Sequence, residues 1–504
     1  MKIQDPPAEN LQAIINLYIQ KKFQEALLES TQMLEKFPES IVLYNIIGAT
    51  NAALMQFDEA ISSYKQALSI NPNYADAYYN MGASFKDKGD LDSAIDCYQK
   101  ALKINPNYAE AFINECELYE QANKLDNLRV AISIAKDTLI KTPEDILLYE
   151  ALYYLRLNNH KHAQNIVSLI NVEQLSKIKR PLFFQLEAKL HQQNQKYELA
   201  FNSFAKMNDL IIKFSSFNNV QAQIFFQDIK DKRQQLCSVL DTPFSQIMDS
   251  SSTASPVFLI GFPRSGTTLL DTILRTHSKI EVIEEKEMLS EVQANLGKKL
   301  SIVDIENLTF EEIKYAREIY EKKLVHFNQK DKSSYVIDKL PLNILEVPLI
   351  QKLFPKSKII LAVRHPLDAI LSCWMQLFDL NPAMANMLDL GRTADFYNEA
   401  MTILEICDKR YSLDMYTIRY EDLVEDMELE ISKLLTFLEL DWEDNMQFYK
   451  ETALDRGLVG TPSYSQVVQP IYKTASYRWE KYRTHLEKYF CKVEEWSTKF
   501  GYEL

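Results

Sequence analysis

The sequence predicts two architectures in one multidomain chain: an all-α superhelix of stacked helical hairpins, then an α/β domain on a parallel sheet. Three observations carry this. In the first part of the chain a set of residues recurs every 34 positions. Further on, an apolar run, Val257-Phe-Leu-Ile-Gly261, leads directly into a glycine-bearing loop and a helical pattern. Beyond that loop, strand-like apolar segments alternate with helical ones, as a parallel sheet requires.

Bulk properties set the outer limits. A chain of 504 residues suggests about three domains, or two large ones. With 46% hydrophobic and 25% charged residues it is an ordinary globular sequence, which excludes global disorder. The net charge of −14 argues against a general nucleic-acid or acidic-membrane binder, so an anionic ligand needs a local cluster of cations. Cys97, Cys116, Cys237, Cys373, Cys407 and Cys491 are widely spaced without a C-x-x-C, so buried free thiols are expected rather than a zinc site or disulfide framework. The opening MKIQDPPAENLQ has no basic-then-apolar secretory pattern, and no apolar run approaches the ~18 residues of a membrane span. A cytoplasmic location is the resulting expectation.

The repeat comes first along the chain. Pro38, Pro72 and Pro106 are 34 apart, as are Tyr44, Tyr78 and Phe112. Gly48 and Gly82, Ala60 and Ala94, Tyr64 and Tyr98, and Ala67 and Ala101 keep the same interval. Each unit reads as two helices, with the glycine allowing close approach and the proline stopping the second helix. A single hairpin cannot bury its apolar face, so the units stack. The pattern resembles the tetratricopeptide repeat family, closely over residues 41–108 and loosely on either side. Ala131, Ala135 and Pro143 have slipped by three residues, residues 144–170 are degenerate, and a last hairpin is expected around Ala188, Ala200 and Phe204. Five to six hairpins are expected over residues 7–215, then a helical linker over 216–250. The resemblance implies a protein or peptide partner, and Asn80 and Asn114 fall on the inner helices.

A Ser/Thr/Pro-rich stretch at 249–256 marks a boundary, and residues 251–504 are read as the second domain. Its opening strand, the loop FPRSGTT at 262–268 and the helical LLDTILRTH form the strand–loop–helix arrangement that binds phosphates through backbone N–H groups. The spacing imitates the nucleotide-binding G-x-x-x-x-G-K-[ST] loop, but Thr267 stands where the lysine belongs and Arg264 supplies the cation. This disfavours a nucleoside triphosphatase and suits a donor with a short phospho-group chain and no obligatory metal.

Four later segments converge on the same crevice. Three are strand-like: 333–343 ends in Asp338-Lys339, 356–374 carries Arg364 and then Ser372 on a helix, and 413–426 ends in Tyr420. The fourth is a polar loop at 461–482 with Ser463 and Arg478. Ligands of parallel sheets sit beyond the strand C-termini, and Arg264, Lys339, Arg364 and Tyr420 fall at or just past the predicted strand ends.

Together these segments resemble the sulfotransferase superfamily over about residues 255–485, most closely the tyrosylprotein sulfotransferases and bacterial proteins that fuse tetratricopeptide repeats to such a domain. The resemblance implies 3′-phosphoadenosine 5′-phosphosulfate as donor. It implies that Arg264, Ser265, Gly266, Thr267 and Thr268 hold the 5′-phosphosulfate, that Arg364 and Ser372 bind the 3′-phosphate, and that Ser463, Arg478 and Tyr420 match further donor-binding positions. It also implies a catalytic glutamate about twenty residues after the loop arginine, which is Glu285 with Glu284 as its neighbour; the family's glycine is Ile283 here. By itself the EEKE tract reads as a solvated acidic face. His277 reads as a structural histidine. Lys339, in a matching D-K-x-P context, is expected to stabilise the leaving oxygen. Two rivals remain: a magnesium-dependent nucleotide kinase on the same fold, and a repeat scaffold with an inactive domain. The acceptor, whether tyrosine, glycan or small molecule, is left open.

Overall fold

The structure, a computed structural model, describes residues 5–214, 219–240, 242, 255–297, 300–327, 335–455 and 476–504. The chain divides into two compact units, Met1–Lys179 and Arg180–Leu504.

The first unit is built from helical hairpins. Ten helices are described in it, from Ala8–Ile19 to His160–Val167. Local chemistry sets their ends. Ser40 caps Ile41–Ala53 by accepting from the Leu43 N–H, and Asp90 caps Leu91–Ile104 through Ser93. The helix Ala75–Lys88 stops at Gly89, whose φ of 90° suits glycine. The repeated glycines act as expected, and the repeated tyrosines lie against them. A Cβ on Gly48 would stand 2.5 Å from the Tyr64 ring, and one on Gly82 would stand 2.8 Å from Tyr98. Ala60, Ala94, Tyr64 and Tyr98 are buried alongside. The degenerate stretch still forms a hairpin, Glu144–Arg156 with His160–Val167, whose second helix is short.

The second unit is a five-stranded parallel sheet with helices on both faces. Its strands are β1 Val257–Gly261, β2 Ile280–Glu284, β3 Tyr335–Lys339, β4 Ile359–Val363 and β5 Met415–Arg419, in the order β2-β3-β1-β4-β5. Four strands were expected; β2 is the addition. Alternation along β1 directs Phe258 and Ile260 into one apolar core and Val257 and Leu259 into another. The second core is completed by Leu270, Ile273 and Leu274 of the helix Thr267–Arg275. From β1 the chain runs towards β2 and from β4 towards β5, on opposite sides. The crevice beyond the ends of β1 and β4 is therefore a topological switch point.

Two expected boundaries are corrected. The last hairpin, Arg180–Gln193 with Tyr197–Phe214, belongs to the second unit. Phe201 stacks on Trp374 at 4.6 Å, Gln185 and Asn208 donate to the Met375 and Trp374 carbonyls, and Gln192 donates to the Tyr482 hydroxyl. Its apolar face reads like a repeat because it needs a partner, and here the partner is the sheet domain. The helix Asn219–Val239, expected as linker, is bound into the same unit: Arg233 pairs with Glu399 at 2.6 Å and Lys232 with Glu346 at 2.8 Å. Of the cysteines, all free, Cys237 and Cys491 are exposed and the other four buried. No helix among the described residues is long and apolar enough to cross a membrane.

These contacts set the minimal second unit. A chain of residues 180–504 is expected to unfold cooperatively, whereas one beginning at 216 melts at least about 10 °C lower, because several large apolar side chains lose their cover. Circular-dichroism melts of the two truncations decide this, and equal midpoints would return the boundary to residue 215.

Candidate active site

The loop after β1 is shaped by contact. Gly261 ends the strand beside β4, where a Cβ would run into the Ala362 carbonyl oxygen. Arg264 then takes a φ of 69° and Gly266 one of 91°, so the turn is tight. Gly266 precedes the helix Thr267–Arg275 and has no side chain to cap it. A Cβ there would lie 2.6 Å from the Tyr420 ring, so only glycine lets the loop press against the end of β5. Ser265, Thr267 and Thr268 are buried.

The cations meet at this turn. Arg264 Nε donates to Ser372 Oγ at 3.2 Å, on the helix Pro366–Trp374. Arg364, just past β4 and 5% exposed, donates to the Arg264 carbonyl at 3.3 Å and lies 4.9 Å over the Tyr420 ring. Asp368 Oδ2 sits 3.8 Å from the same guanidinium. Arg264, Gly266, Arg364, Ser372 and Tyr420 thus form one contact chain around the crevice. Arg478 opens the turn Arg478–Tyr482; the N–H of its neighbour Trp479 donates to Asp368 at 2.8 Å, which ties that segment to Arg364. Ser463 lies outside the described residues.

A second cluster adjoins the loop helix. Lys339, fully buried at the end of β3, places Nζ 3.0 Å from Glu284, 2.9 Å from Glu285 and 3.9 Å from Asp271. Burial pushes its pKa down, but the three carboxylates outweigh that and hold it above the usual lysine value. Asp271 is one turn after Thr267 on the loop helix, so the cluster and the anion turn share a support. Glu284 is the last residue of β2, opposite Lys339 in the ladder. Glu285 follows it with a φ of 49°, its N–H donating to the Lys339 carbonyl at 2.7 Å. Its side chain is 37% exposed against 16% for Glu284. His277 is at the other end of the loop helix, with Nδ1 accepting from the Lys279 N–H and Nε2 3.1 Å from the Asp441 carbonyl.

Sequence reasoning passed over Asp271, Asp368, Glu421 and Trp479. For Asp271 there was a signal, a carboxylate set among the apolar residues of LLDTILR. The others act through contacts that no local pattern shows.

Two structural features suit an anionic group at this turn. Ser265 Oγ is buried with no hydrogen-bond partner among the described residues, which leaves a hydroxyl ready for an anion. The uncapped turn at Gly266 is the cradle that a Cβ would fill.

Behind the site, Asp338 points to the opposite face from Lys339 and accepts from the Tyr320 hydroxyl at 2.9 Å. Burial raises its pKa to about 7, against which the Tyr320 bond acts weakly. The folded protein keeps this proton where the unfolded chain has released it. Stability is therefore lost as pH rises from about 4 towards 7. Asp338→Asn is expected to gain melting temperature relative to the parent across that window, and a difference independent of pH would contradict it.

Comparison with known proteins finds likenesses for both parts of the chain. Residues 256–444 match the model of the sulfotransferase family, and residues 75–108 and 54–89 match tetratricopeptide and TPR repeat models. An uncharacterised protein of Aquifex aeolicus is 28% identical over 61% of this chain and 40% of its own length. Protein-tyrosine sulfotransferase A of Caenorhabditis elegans is 24% identical over 47% of this chain and 66% of its own. Protein-tyrosine sulfotransferase 1 of Danio rerio is 24% identical over 48% and 68%. The chain thus spans well under half of the first relative and about two thirds of the others.

Proposed function

We propose that this chain, which joins tetratricopeptide repeats to a domain of the sulfotransferase family, transfers a sulfuryl group from 3′-phosphoadenosine 5′-phosphosulfate to an acceptor hydroxyl, with a protein tyrosine as the leading candidate. The observation that carries the reading is the single contact chain from Arg264 and Ser372 through Arg364 to Tyr420 and Gly266, next to the Lys339–Glu285 pair. The tyrosine acceptor draws support from the names of the nematode and zebrafish relatives.

The donor, when bound, supplies an activated sulfuryl group whose leaving side is an adenosine bisphosphate. Arg264, Ser265 and the turn at Gly266–Thr268 hold its 5′ end, and Arg364 and Ser372 hold the 3′-phosphate. Glu285 accepts the proton from the acceptor hydroxyl, which strengthens the oxygen as it attacks. It is the better placed of the two glutamates, being past the strand end and the more open to solvent. Lys339 anchors the Glu285 carboxylate by donating to it at 2.9 Å, and it offers its ammonium to charge developing on the leaving oxygen. A sulfuryl group carries less charge than a phosphoryl, so fixed cations serve where phosphoryl transfer uses magnesium. The repeats, in this reading, recruit the acceptor or its carrier through a protein or peptide contact.

The test uses radiolabelled donor with tyrosine peptides and a protein extract. Glu285→Gln is expected to lower kcat by about a hundredfold or more, Glu284→Gln by far less, and a chelator to have no effect. An active Glu285→Gln enzyme sinks the assigned base. Transfer from adenosine triphosphate, dependent on magnesium, sinks the reaction class.

A further inference from the structure

We propose that Tyr502 and Glu503 form a latch that fixes Arg364 and Tyr420 in their donor-gripping arrangement, with Glu421 as the shared positioning residue. This rests on the donor reading above. The β4–β5 ladder ends at the pair Val363 and Arg419. The next residues outwards are Arg364 and Tyr420, then His365 and Glu421. Here a side chain continues what the ladder stops doing: Glu421 Oε1 accepts the His365 N–H at 3.1 Å. One carboxylate therefore holds together two strand ends that each carry a site residue.

That carboxylate is itself held. Its other oxygen accepts the Tyr502 hydroxyl at 2.6 Å, a short bond within a buried setting. The Arg419 guanidinium lies 4.3 Å over the Tyr502 ring. Burial, aided by the Glu421 charge, pushes the phenol's pKa up, so it stays a donor. Glu503 closes a second arm. The His365 ring accepts from the Leu367 N–H at Nδ1, which leaves Nε2–H to donate to the Glu503 carbonyl at 2.9 Å. The same ring stacks on Trp479 at 4.9 Å, and the backbone N–H of Trp479 donates to Asp368, the partner of Arg364. Arg364 is thus approached from both sides by contacts that run through His365 and the Tyr502–Glu503 segment.

Without the Tyr502 hydroxyl, Glu421 has a buried oxygen to satisfy and rotates away from His365, and Arg364 loses its register. The loss falls on the 3′-phosphate, the group assigned to Arg364, and much less on the 5′ end. Calorimetric titration of the full chain with adenosine 3′,5′-bisphosphate and with adenosine 5′-phosphate separates the two. Tyr502→Phe is expected to weaken the bisphosphate about tenfold and the monophosphate less than about twofold, with the KM for donor rising and kcat unchanged. Glu421→Gln is expected to do the same, and adding Tyr502→Phe to it to cost little more. Bisphosphate binding at parental strength overturns the latch. So does an equal loss of both nucleotides, which marks a merely structural role. A parent chain that does not prefer the bisphosphate overturns the donor reading, and the latch with it.

Discussion

An ammonium cannot be taken out of water unless charge is brought to meet it. Lys339 is fully buried, and its partners come from three elements: Asp271 from the loop helix, Glu284 from the end of β2, and Glu285 just beyond it. Burial of the lysine therefore fixes where β2 ends relative to the anion-binding turn. Deleting one carboxylate leaves the others to carry the charge, but deleting the lysine leaves three carboxylates facing one another, so the arrangement is far more sensitive on the cation's side.

The anion turn obeys a different constraint, one of space. Gly266 can touch Tyr420 only because it lacks a Cβ, and Tyr420 in turn supports the Arg364 guanidinium. Arg364 donates back to the Arg264 carbonyl, and Arg264 holds Ser372. Each contact sets the next, so the two arginines are held by the fold around them.

Much of this was legible in the sequence where the signal is local. A hairpin repeat writes itself at a fixed interval, and the spacing of Gly48 and Gly82 is enough to mark close helix approach. The loop arginine and the residues at strand ends were legible for the same reason. What failed were statements about partners. The helices Arg180–Gln193 and Tyr197–Phe214 carry an apolar stripe that fits a repeat neighbour or a sheet domain equally, and only the contacts with Trp374 and Tyr482 decide. The strand β2 was hidden because its end, Glu284, is polar and belongs to the site. Glu421, beside Tyr420 in RYEDL, carried no signal of its own, and its buried bonds to His365 and Tyr502 span distances along the chain that no pattern records.

Glu284 and Glu285 show how one lysine can give two adjacent acids different work. Both pair with the Lys339 ammonium at nearly equal distance. Glu284 is still in the ladder, opposite Lys339 and mostly covered, so its carboxylate is spent on neutralising the buried charge. Glu285 has left the ladder through a left-handed turn, a conformation in which a non-glycine residue is strained. The bond from its N–H to the Lys339 carbonyl holds that turn in place. That turn leaves a carboxylate held in its ion pair and open on one side. In the proposed reading a base needs both properties, and the absence of the family's glycine at Ile283 does not remove them, because the turn falls at Glu285 itself.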